Sequence, residues 1–267
     1  MEGQLRNQLG DELYRACKEG RLKDITSLVE RRRAADPTYN PPLYAMMTAA
    51  ASTDRANVVG YCLREGGSVT DAVMAALVGN HSFGTHKLLV TSKAVDVDRV
   101  VPWHGDILGI VAPAGDNEWA KFCLQNGANP NLNMVDEFKP GLAATAERGI
   151  TDMVSLLLEH GAWLKGSGAI VLAAEAGKKD MVRFLLEHGA DIDEIGVEDP
   201  TDDRETEEMG SALHKAVSAG HKGIVELLID KGANIKLKDA KGRTPLGLAE
   251  ESRNAEIVEL LQSRGAG

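Results

Sequence analysis

The chain has 267 residues, a formal net charge of −10 at pH 7 and a pI of about 5.2. Nucleic acid is not expected as a partner, because binding to phosphates needs a basic surface. Aromatic residues make up only 4% of the sequence, so the core must be built from leucine, valine, isoleucine and alanine. No stretch approaches the ~18 apolar residues that span a membrane. We therefore expect a cytoplasmic protein, with a nuclear location as the alternative.

The three cysteines fall at apolar positions of predicted helices, and no two of them are spaced as a CxxC pair. We expect Cys17, Cys62 and Cys123 to be buried, reduced thiols in preference to disulfides or metal ligands. The sequence also lacks an HExxH motif, a glycine-rich phosphate loop and the spacing of metal ligands. Accordingly, neither a cofactor nor a metal ion is expected.

A glycine doublet recurs along the chain, each time after a leucine-rich helical stretch. The spacing from Gly232 to Gly265 is 33 residues, and that from Gly127 to Gly161 is 34. A period of this length is typical of stacked-repeat proteins. Most of these use an extended surface to bind a partner. The doublets are Gly66-Gly67, Gly127-Ala128, Gly161-Ala162, Gly189-Ala190, Gly232-Ala233 and Gly265-Ala266.

Counting back from each doublet divides the chain into eight helical units. The first, residues 11–33, follows no loop of the kind that precedes the others, which predicts an N-terminal capping unit. The third is degenerate, because Ser92-Lys93-Ala94 stands where a doublet is expected. In chain order the units cover residues 11–33, 42–67, 69–98, 106–127, 140–161, 168–189, 211–243 and 244–267.

The unit that opens at Ser211 has the clearest pattern. Its first helix ends at Gly220, a residue type that readily adopts left-handed dihedral angles. The apolar stripe over residues 224–228 predicts a second helix, which ends at Gly232. Thr244-Pro245 then begins the next unit, with threonine as a helix cap and proline in the first turn.

Two of these openings share a short motif, Ser211-Ala212-Leu213-His214 and Thr244-Pro245-Leu246. With the Gly-Ala doublets and the run from Asp239 to Thr244, they resemble the T-P-L-H opening and spacing of the ankyrin repeat family. This resemblance implies an all-α solenoid of about eight helix-turn-helix units with finger loops, in a single domain over residues 1–267. It also implies that His214 makes structural contacts with the backbone.

The loop between the sixth and seventh units is longer than the repeat requires. Its doublets lie 43 residues apart, whereas those of the fifth and sixth units lie only 28 apart. The insertion, residues 193–208, carries nine carboxylates and a single cation, Arg204. Two interpretations are open: a solvated, mobile loop, or a docking loop for a basic partner.

The resemblance also implies that a partner binds on a concave surface of finger tips and first helices. Mapping those positions gives an apolar N-terminal half and a charged C-terminal half. Trp103 is the first candidate for an anchor, with packing in its own finger as the alternative, and Trp163 is open to both interpretations. The partner is expected to be another protein with a basic segment, bound by a monomer without nucleic acid or membrane. The candidate residues are Tyr44, Leu77, Val78, Trp103, Asp136, Glu137, Lys139, Arg148, Glu207, Glu208, Lys241 and Arg243, with Pro113, Ser218 and Glu251 at related positions.

The alternative function is a small-molecule site or an enzyme in the same surface, around Tyr44, Trp103, His104 and Asp106. His104 and Asp106 have the residue types of a base and the group that orients it. No nucleophile is identifiable beside them, however, and a carboxylate two residues away is common. The sequence therefore favours the protein-binding function.

Overall fold

The computed structural model describes residues 2–102, 104–132, 140–196 and 209–266. Over these ranges the protein is entirely helical, and strand-like pairing is limited to isolated bridges between Val101 and Gly105 and between Ile195 and Ser211. The predicted all-α, helix-turn-helix architecture is confirmed. The helices are α1 (Glu2–Leu9), α2 (Asp11–Glu19), α3 (Leu22–Ala35), α4 (Leu43–Ala51), α5 (Ala56–Arg64), α6 (Asp71–Gly79), α7 (Phe83–Thr91), α8 (Ile107–Ala114), α9 (Asn117–Gln125), α10 (Gly141–Arg148), α11 (Thr151–Glu159), α12 (Ala169–Glu175), α13 (Lys179–Glu187), α14 (Ala212–Ser218), α15 (Lys222–Asp230), α16 (Pro245–Glu251) and α17 (Ala255–Ser263).

From α2 onward the helices form pairs, and one tight turn joins the two members of each pair. The turn residue adopts a positive φ, which costs a side-chain-bearing residue about 1–2 kcal/mol but costs glycine little. Glycine accordingly fills this position in five pairs, whereas Asp54, His81 and Arg253 fill it in the others. The glycines are Gly20, Gly115, Gly149, Gly177 and Gly220.

His81 gives a test of this turn, because its side chain is exposed and its φ is 51°. We expect His81→Gly to raise the free energy of unfolding by about 0.5–1 kcal/mol, since relief of backbone strain outweighs the added entropy of the unfolded chain. Asp54→Gly is the matched control. The Asp54 carboxylate accepts hydrogen bonds from the backbone nitrogens of Gly84 (3.0 Å) and Thr85 (2.6 Å), and the substitution removes them. Urea unfolding that shows His81→Gly to be less stable than the wild type would refute this reading of the turn.

The helices group into two compact units, residues 1–107 and 108–267. In the first unit, α2, α4 and α6 pack side by side as first helices, and α3, α5 and α7 follow them as second helices. Helix α1, which the repeat pattern did not predict, packs against α2 and α4 and buries Leu5 and Leu9. Fully buried leucine and methionine side chains fill this core, among them Leu13, Met46 and Met74.

In the second unit the first helices α10, α12, α14 and α16 form a continuous row, and the second helices α13, α15 and α17 form another. Trp119, on α9, is buried with 1% of its surface exposed. The three cysteines of the chain are buried and free, as predicted, and burial raises the pKa of Cys62 to about 12. In the described part of the chain no helix combines the length and the apolar character that crossing a bilayer requires.

Candidate functional site

A polar cavity lies in the second unit, on the side of the first helices. Helices α12, α14 and α16 supply most of its lining, and the loop before α16 supplies the rest. Its side chains include two carboxylates and two cations, so that charged groups of both signs face one space. The lining residues are Glu175, His214, Lys215, Ser218, Asp239, Arg243 and Leu248.

His214 forms part of the back wall of the cavity and is buried. Its Nδ1 accepts a hydrogen bond from the backbone nitrogen of Ser211 at 3.2 Å. Its Nε2 lies 3.1 Å from the carbonyl oxygen of Leu237 and 3.2 Å from that of Arg243, which assigns the proton to Nε2. Burial lowers the pKa of His214, in keeping with a neutral ring. The predicted structural role is confirmed, because the ring ties α14 to the finger loop.

Asp239 and Arg243 complete the back wall. One carboxylate oxygen of Asp239 accepts the backbone N–H of Arg243 at 2.8 Å, and the other accepts the guanidinium, also at 2.8 Å. Burial alone would raise the pKa of Asp239, but the hydrogen bonds from Arg243 outweigh burial and lower it. Arg243 also lies 3.4 Å from Glu251. Its guanidinium therefore holds the finger loop closed. The sequence had predicted Arg243 as a partner contact and not for this role in the loop.

The accessible front of the cavity consists of Glu175 and Ser218, and the half-buried Lys215 pairs with Glu175 there. The Lys215 ammonium lies 3.2 Å from the Glu175 carboxylate, and 45% of the Glu175 side chain is exposed. Ser218 is exposed, and its hydroxyl has no hydrogen-bond partner within the described ranges. These three groups hold no loop in place, so a partner can contact them without disturbing the finger.

Glu175 was missed by the sequence reasoning, although a signal for it existed. The last residues of α10, α12, α14 and α16 are Arg148, Glu175, Ser218 and Glu251, and they occupy equivalent positions in successive repeats. Three of the four were predicted from that register. No contact residue was predicted in the sixth unit, which follows a shortened finger loop (the clipped finger, residues 163–167). Arg148 and Lys241 are exposed, as a contact role would require.

Several predicted residues cannot be placed. Trp103, the carboxylates expected to attract a basic segment, and most of the acidic insertion lie outside the described residues. These are Trp103, Asp136, Glu137, Lys139, Glu207 and Glu208, with residues 197–208 of the insertion.

The structure corrects the apolar surface predicted for the first unit. Leu77 is fully buried and Val78 is only 8% exposed, so neither side chain offers surface to a partner. The reason is that α6 packs against both α4 and α7, which covers positions that the repeat register had assigned to the surface. Tyr44 is 45% exposed, and its hydroxyl donates to the side-chain oxygen of Gln8.

The candidate base and its orienting carboxylate lie in different environments. His104 is exposed, and its Nδ1 lies 3.0 Å from the carbonyl oxygen of Pro102. Asp106 is 4% exposed. The backbone carbonyl, and not the carboxylate of Asp106, therefore engages this ring nitrogen. Across the described residues, no group of three or more histidine, cysteine, aspartate or glutamate side chains is arranged to hold a metal ion.

Comparison with known families agrees with this architecture. The family model of ankyrin repeats in three copies matches residues 108–195 and 197–267, which is more than half of the chain. The chain belongs to the ankyrin repeat family. The predicted family is thereby confirmed, and the match includes every element that lines the polar cavity.

Curated relatives share only short stretches with this ankyrin repeat chain. An ankyrin repeat protein of Acanthamoeba polyphaga mimivirus is 43% identical over 53 residues, which is 20% of this chain and 7% of the relative. The palmitoyltransferase ZDHHC17 of Danio rerio is 40% identical over 52 residues, 20% of this chain and 8% of the enzyme. The human diacylglycerol kinase iota is 37% identical over 62 residues, 23% of this chain and 6% of the kinase. The chain thus covers less than a tenth of each of these relatives.

One exposed aromatic residue stands out among the ankyrin repeats of the second unit. Trp163 follows the Gly161-Ala162 doublet in the clipped finger, and 73% of its surface is exposed. Of the two interpretations that the sequence had left open, the exposure excludes packing in the core.

Proposed function

We propose that this chain is a protein-binding module, and that the polar cavity of its second unit is the contact site for a basic segment of the partner. Ankyrin repeats are generally protein–protein interaction modules, and this chain has their fold. The observation that carries the proposal is the division of the cavity between a back wall committed to the fold and an accessible front. A partner needs the accessible front for contact, and the back wall makes that front rigid.

Charge favours a basic partner. The acidic excess of the chain lies entirely in the second unit, whereas the first has equal numbers of acidic and basic residues. By the register of the repeats, Glu175 and Glu251 end the helices on either side of the one that Ser218 ends, and both carboxylates are exposed. A partner arginine can pair with Glu175 while Ser218 accepts or donates a further hydrogen bond. The negative charges on the rest of the second unit then attract such a basic segment toward the cavity.

The remaining predicted contacts are part of the same proposal. Asp136, Glu137, Glu207 and Glu208 would extend the acidic surface, and the acidic insertion would attract the basic segment from solution. Trp103 and Tyr44 would bury an apolar segment of the same partner. A cytoplasmic location is the setting that we propose for this interaction.

The test compares two variants with the same change of charge. Glu175→Arg places a cation at the accessible front of the cavity, whereas Glu259→Arg places one on the exposed face of α17. Partners captured from a native lysate by the wild type are expected to be retained by Glu259→Arg and lost by Glu175→Arg. For a purified partner we expect the Kd to rise by roughly tenfold or more with Glu175→Arg, and the difference to shrink at high salt.

Equal capture by both variants would refute the cavity as the contact site. Equal affinity at low and high salt would show that the bound segment is not basic, but it would not contradict the proposal that the chain is a protein-binding module.

A further inference from the structure

Trp163 occupies a position that other repeats use for a turn-forming side chain. After the doublets of three other units stand Asn129, Asp191 and Asn234. The side-chain oxygen of each accepts a hydrogen bond from the backbone nitrogen two residues on, which stabilises the turn. An indole has no such acceptor. The three bonds are Asn131 N to Asn129 Oδ1 (3.0 Å), Asp193 N to Asp191 Oδ1 (3.1 Å) and Lys236 N to Asn234 Oδ1 (3.0 Å).

The backbone at Trp163 is nevertheless held firmly. Its nitrogen donates to Asn131 Oδ1 at 2.8 Å, and Asn131 Nδ2 donates in turn to the carbonyl oxygen of Gly161 at 3.0 Å. The preceding Ala162 is buried. The indole therefore projects from a backbone that hydrogen bonds hold in place, and ordering its two side-chain torsions on binding costs little entropy. A tryptophan side chain that is exposed on a fixed backbone and does not pack in the fold has the properties of an anchor for a partner.

This position belongs to a different surface from the polar cavity. One repeat further along, a groove is lined by the end of α13, by residues 190–192 after it and by Lys231, which follows α15. Asp191 lines that groove and is the equivalent of Trp163. By the same register, Trp163 lies beside the end of α11 and next to the end of α13. The surface around Trp163 thus lies at the ends of the second helices, whereas the first helices line the polar cavity.

Three second helices near this surface end in an acidic residue. The last residue of α11 is Glu159, that of α13 is Glu187 and that of α15 is Asp230. A helix C-terminus carries partial negative charge and favours cations, so an acidic residue there is left poorly compensated. Asp230 pairs with Arg264 at 2.6 Å. Glu159 and Glu187 are exposed, and neither forms an ion pair within the described part of the chain.

We propose that Trp163, Glu159 and Glu187 form a second binding surface, which takes an arginine side chain of a partner protein. The guanidinium stacks on the face of the indole and pairs with one of the carboxylates. Arginine fits this arrangement better than lysine, because its planar, weakly hydrated group both stacks on aromatic rings and forks to a carboxylate. Leu158 and Leu164, both half-buried, lie at the register positions that would contact apolar neighbours of that arginine.

The test uses an acetylated and amidated Leu-Arg-Leu peptide, with the citrulline peptide as an uncharged isostere. Nitrogen-15 spectra follow the indole signals, and the Trp163 signal is the one lost in Trp163→Asn. The arginine peptide is expected to shift this signal and to leave that of buried Trp119 unchanged. The citrulline peptide is expected to bind roughly tenfold more weakly, and Glu159→Gln with Glu187→Gln to weaken the arginine peptide roughly fivefold.

Trp163→Asn separates binding from structure. Because the turn of this finger runs from Leu164 to Ser167 and the exposed indole lies outside it, the variant is expected to keep the unfolding midpoint while it abolishes the peptide titration. A lowered midpoint would assign Trp163 to the fold, and equal shifts with both peptides, or none with the arginine peptide, would overturn the proposal. Glu175→Arg is expected to leave the titration unchanged, so that failure at the cavity and failure at this surface are distinguishable.

Discussion

Replacing Asp239 with alanine is expected to lower the free energy of unfolding by about 3 kcal/mol. The Asp239 side chain is 1% exposed and compensates both the guanidinium and the backbone nitrogen of Arg243. Alanine removes all of these bonds and leaves the buried backbone N–H and the partly buried cation without their acceptor. Because 25% of the Arg243 side chain still reaches water, we place the loss at the lower end for a broken buried pair.

Urea unfolding of Asp239→Ala and Lys238→Ala measures this effect. Lys238 is the exposed neighbour, and its replacement is expected to change the stability by less than about 0.5 kcal/mol. Asp239→Asn keeps an acceptor for the backbone nitrogen of Arg243 but loses the charge, and we expect it to fall between the two. Equal stability of Asp239→Ala and Lys238→Ala would show that the finger loop is held by other contacts.

The pH dependence of this contribution follows from the lowered pKa of Asp239. A carboxyl whose pKa is lower in the folded than in the unfolded chain stabilises the fold above its unfolded pKa. That stabilisation is lost as the pH falls through the folded pKa, because the protonated carboxyl no longer pairs with Arg243. Asp239→Asn should therefore lose less stability on acidification than the wild type does.

The repeat architecture could be predicted from the sequence because each unit obeys local rules. A left-handed turn favours glycine, a helix start favours threonine before proline, and a packed second helix needs an apolar stripe. These requirements recur in each unit, so a degenerate unit can be located from its neighbours. Lys93, at the position of the doublet glycine, adopts a φ of 56°, and Ala94 N donates to Leu89 O at 2.9 Å. Ala128 N bonds to Cys123 O in the same way.

The site was only partly predictable, because exposure depends on neighbours that lie outside each unit. Leu77 and Val78 occupy positions that the register assigns to the surface, and the packing of α6 against α4 and α7 buries them. Trp163 differs from Leu77 and Val78, because the structure leaves its side chain exposed. Its residue type suggested packing as readily as exposure, and only the geometry of its turn shows that the fold leaves the indole in solvent. Periodicity predicts which residues share a face, but not how much of that face is covered.

Acidification from pH 7 to about pH 4 is expected to cost the wild type up to roughly 3 kcal/mol of stability through His86 alone. His86 lies on α7 and is fully buried, and burial lowers its pKa from 6.5 to about 4. In the unfolded chain the imidazole binds a proton near its ordinary pKa of 6.5, whereas in the folded chain it stays neutral down to about pH 4. The unfolded state therefore gains protons first as the pH falls.

The loss of stability through His86 is confined to the range between pH 6.5 and about pH 4. Above pH 6.5 the ring is neutral in both states and contributes nothing to the pH dependence. Between pH 6.5 and about pH 4 each pH unit removes about 1.4 kcal/mol, and below that range both states are protonated and the loss stops growing. His86→Leu cannot take up the proton, so its stability should fall less than that of the wild type over this range, by the same roughly 3 kcal/mol.

The measurement is urea unfolding of the wild type and His86→Leu at several pH values, and the comparison is between their slopes with pH. Carboxylates elsewhere in the chain titrate in both proteins, so their contribution cancels in the difference. An absolute change in stability at pH 7, from repacking around the leucine, cancels as well. His160→Leu is the control, because His160 is exposed and should leave the slope unchanged. If His86→Leu and the wild type lose stability in parallel, the buried imidazole is already compensated for its charge by a neighbour, and desolvation does not govern its titration.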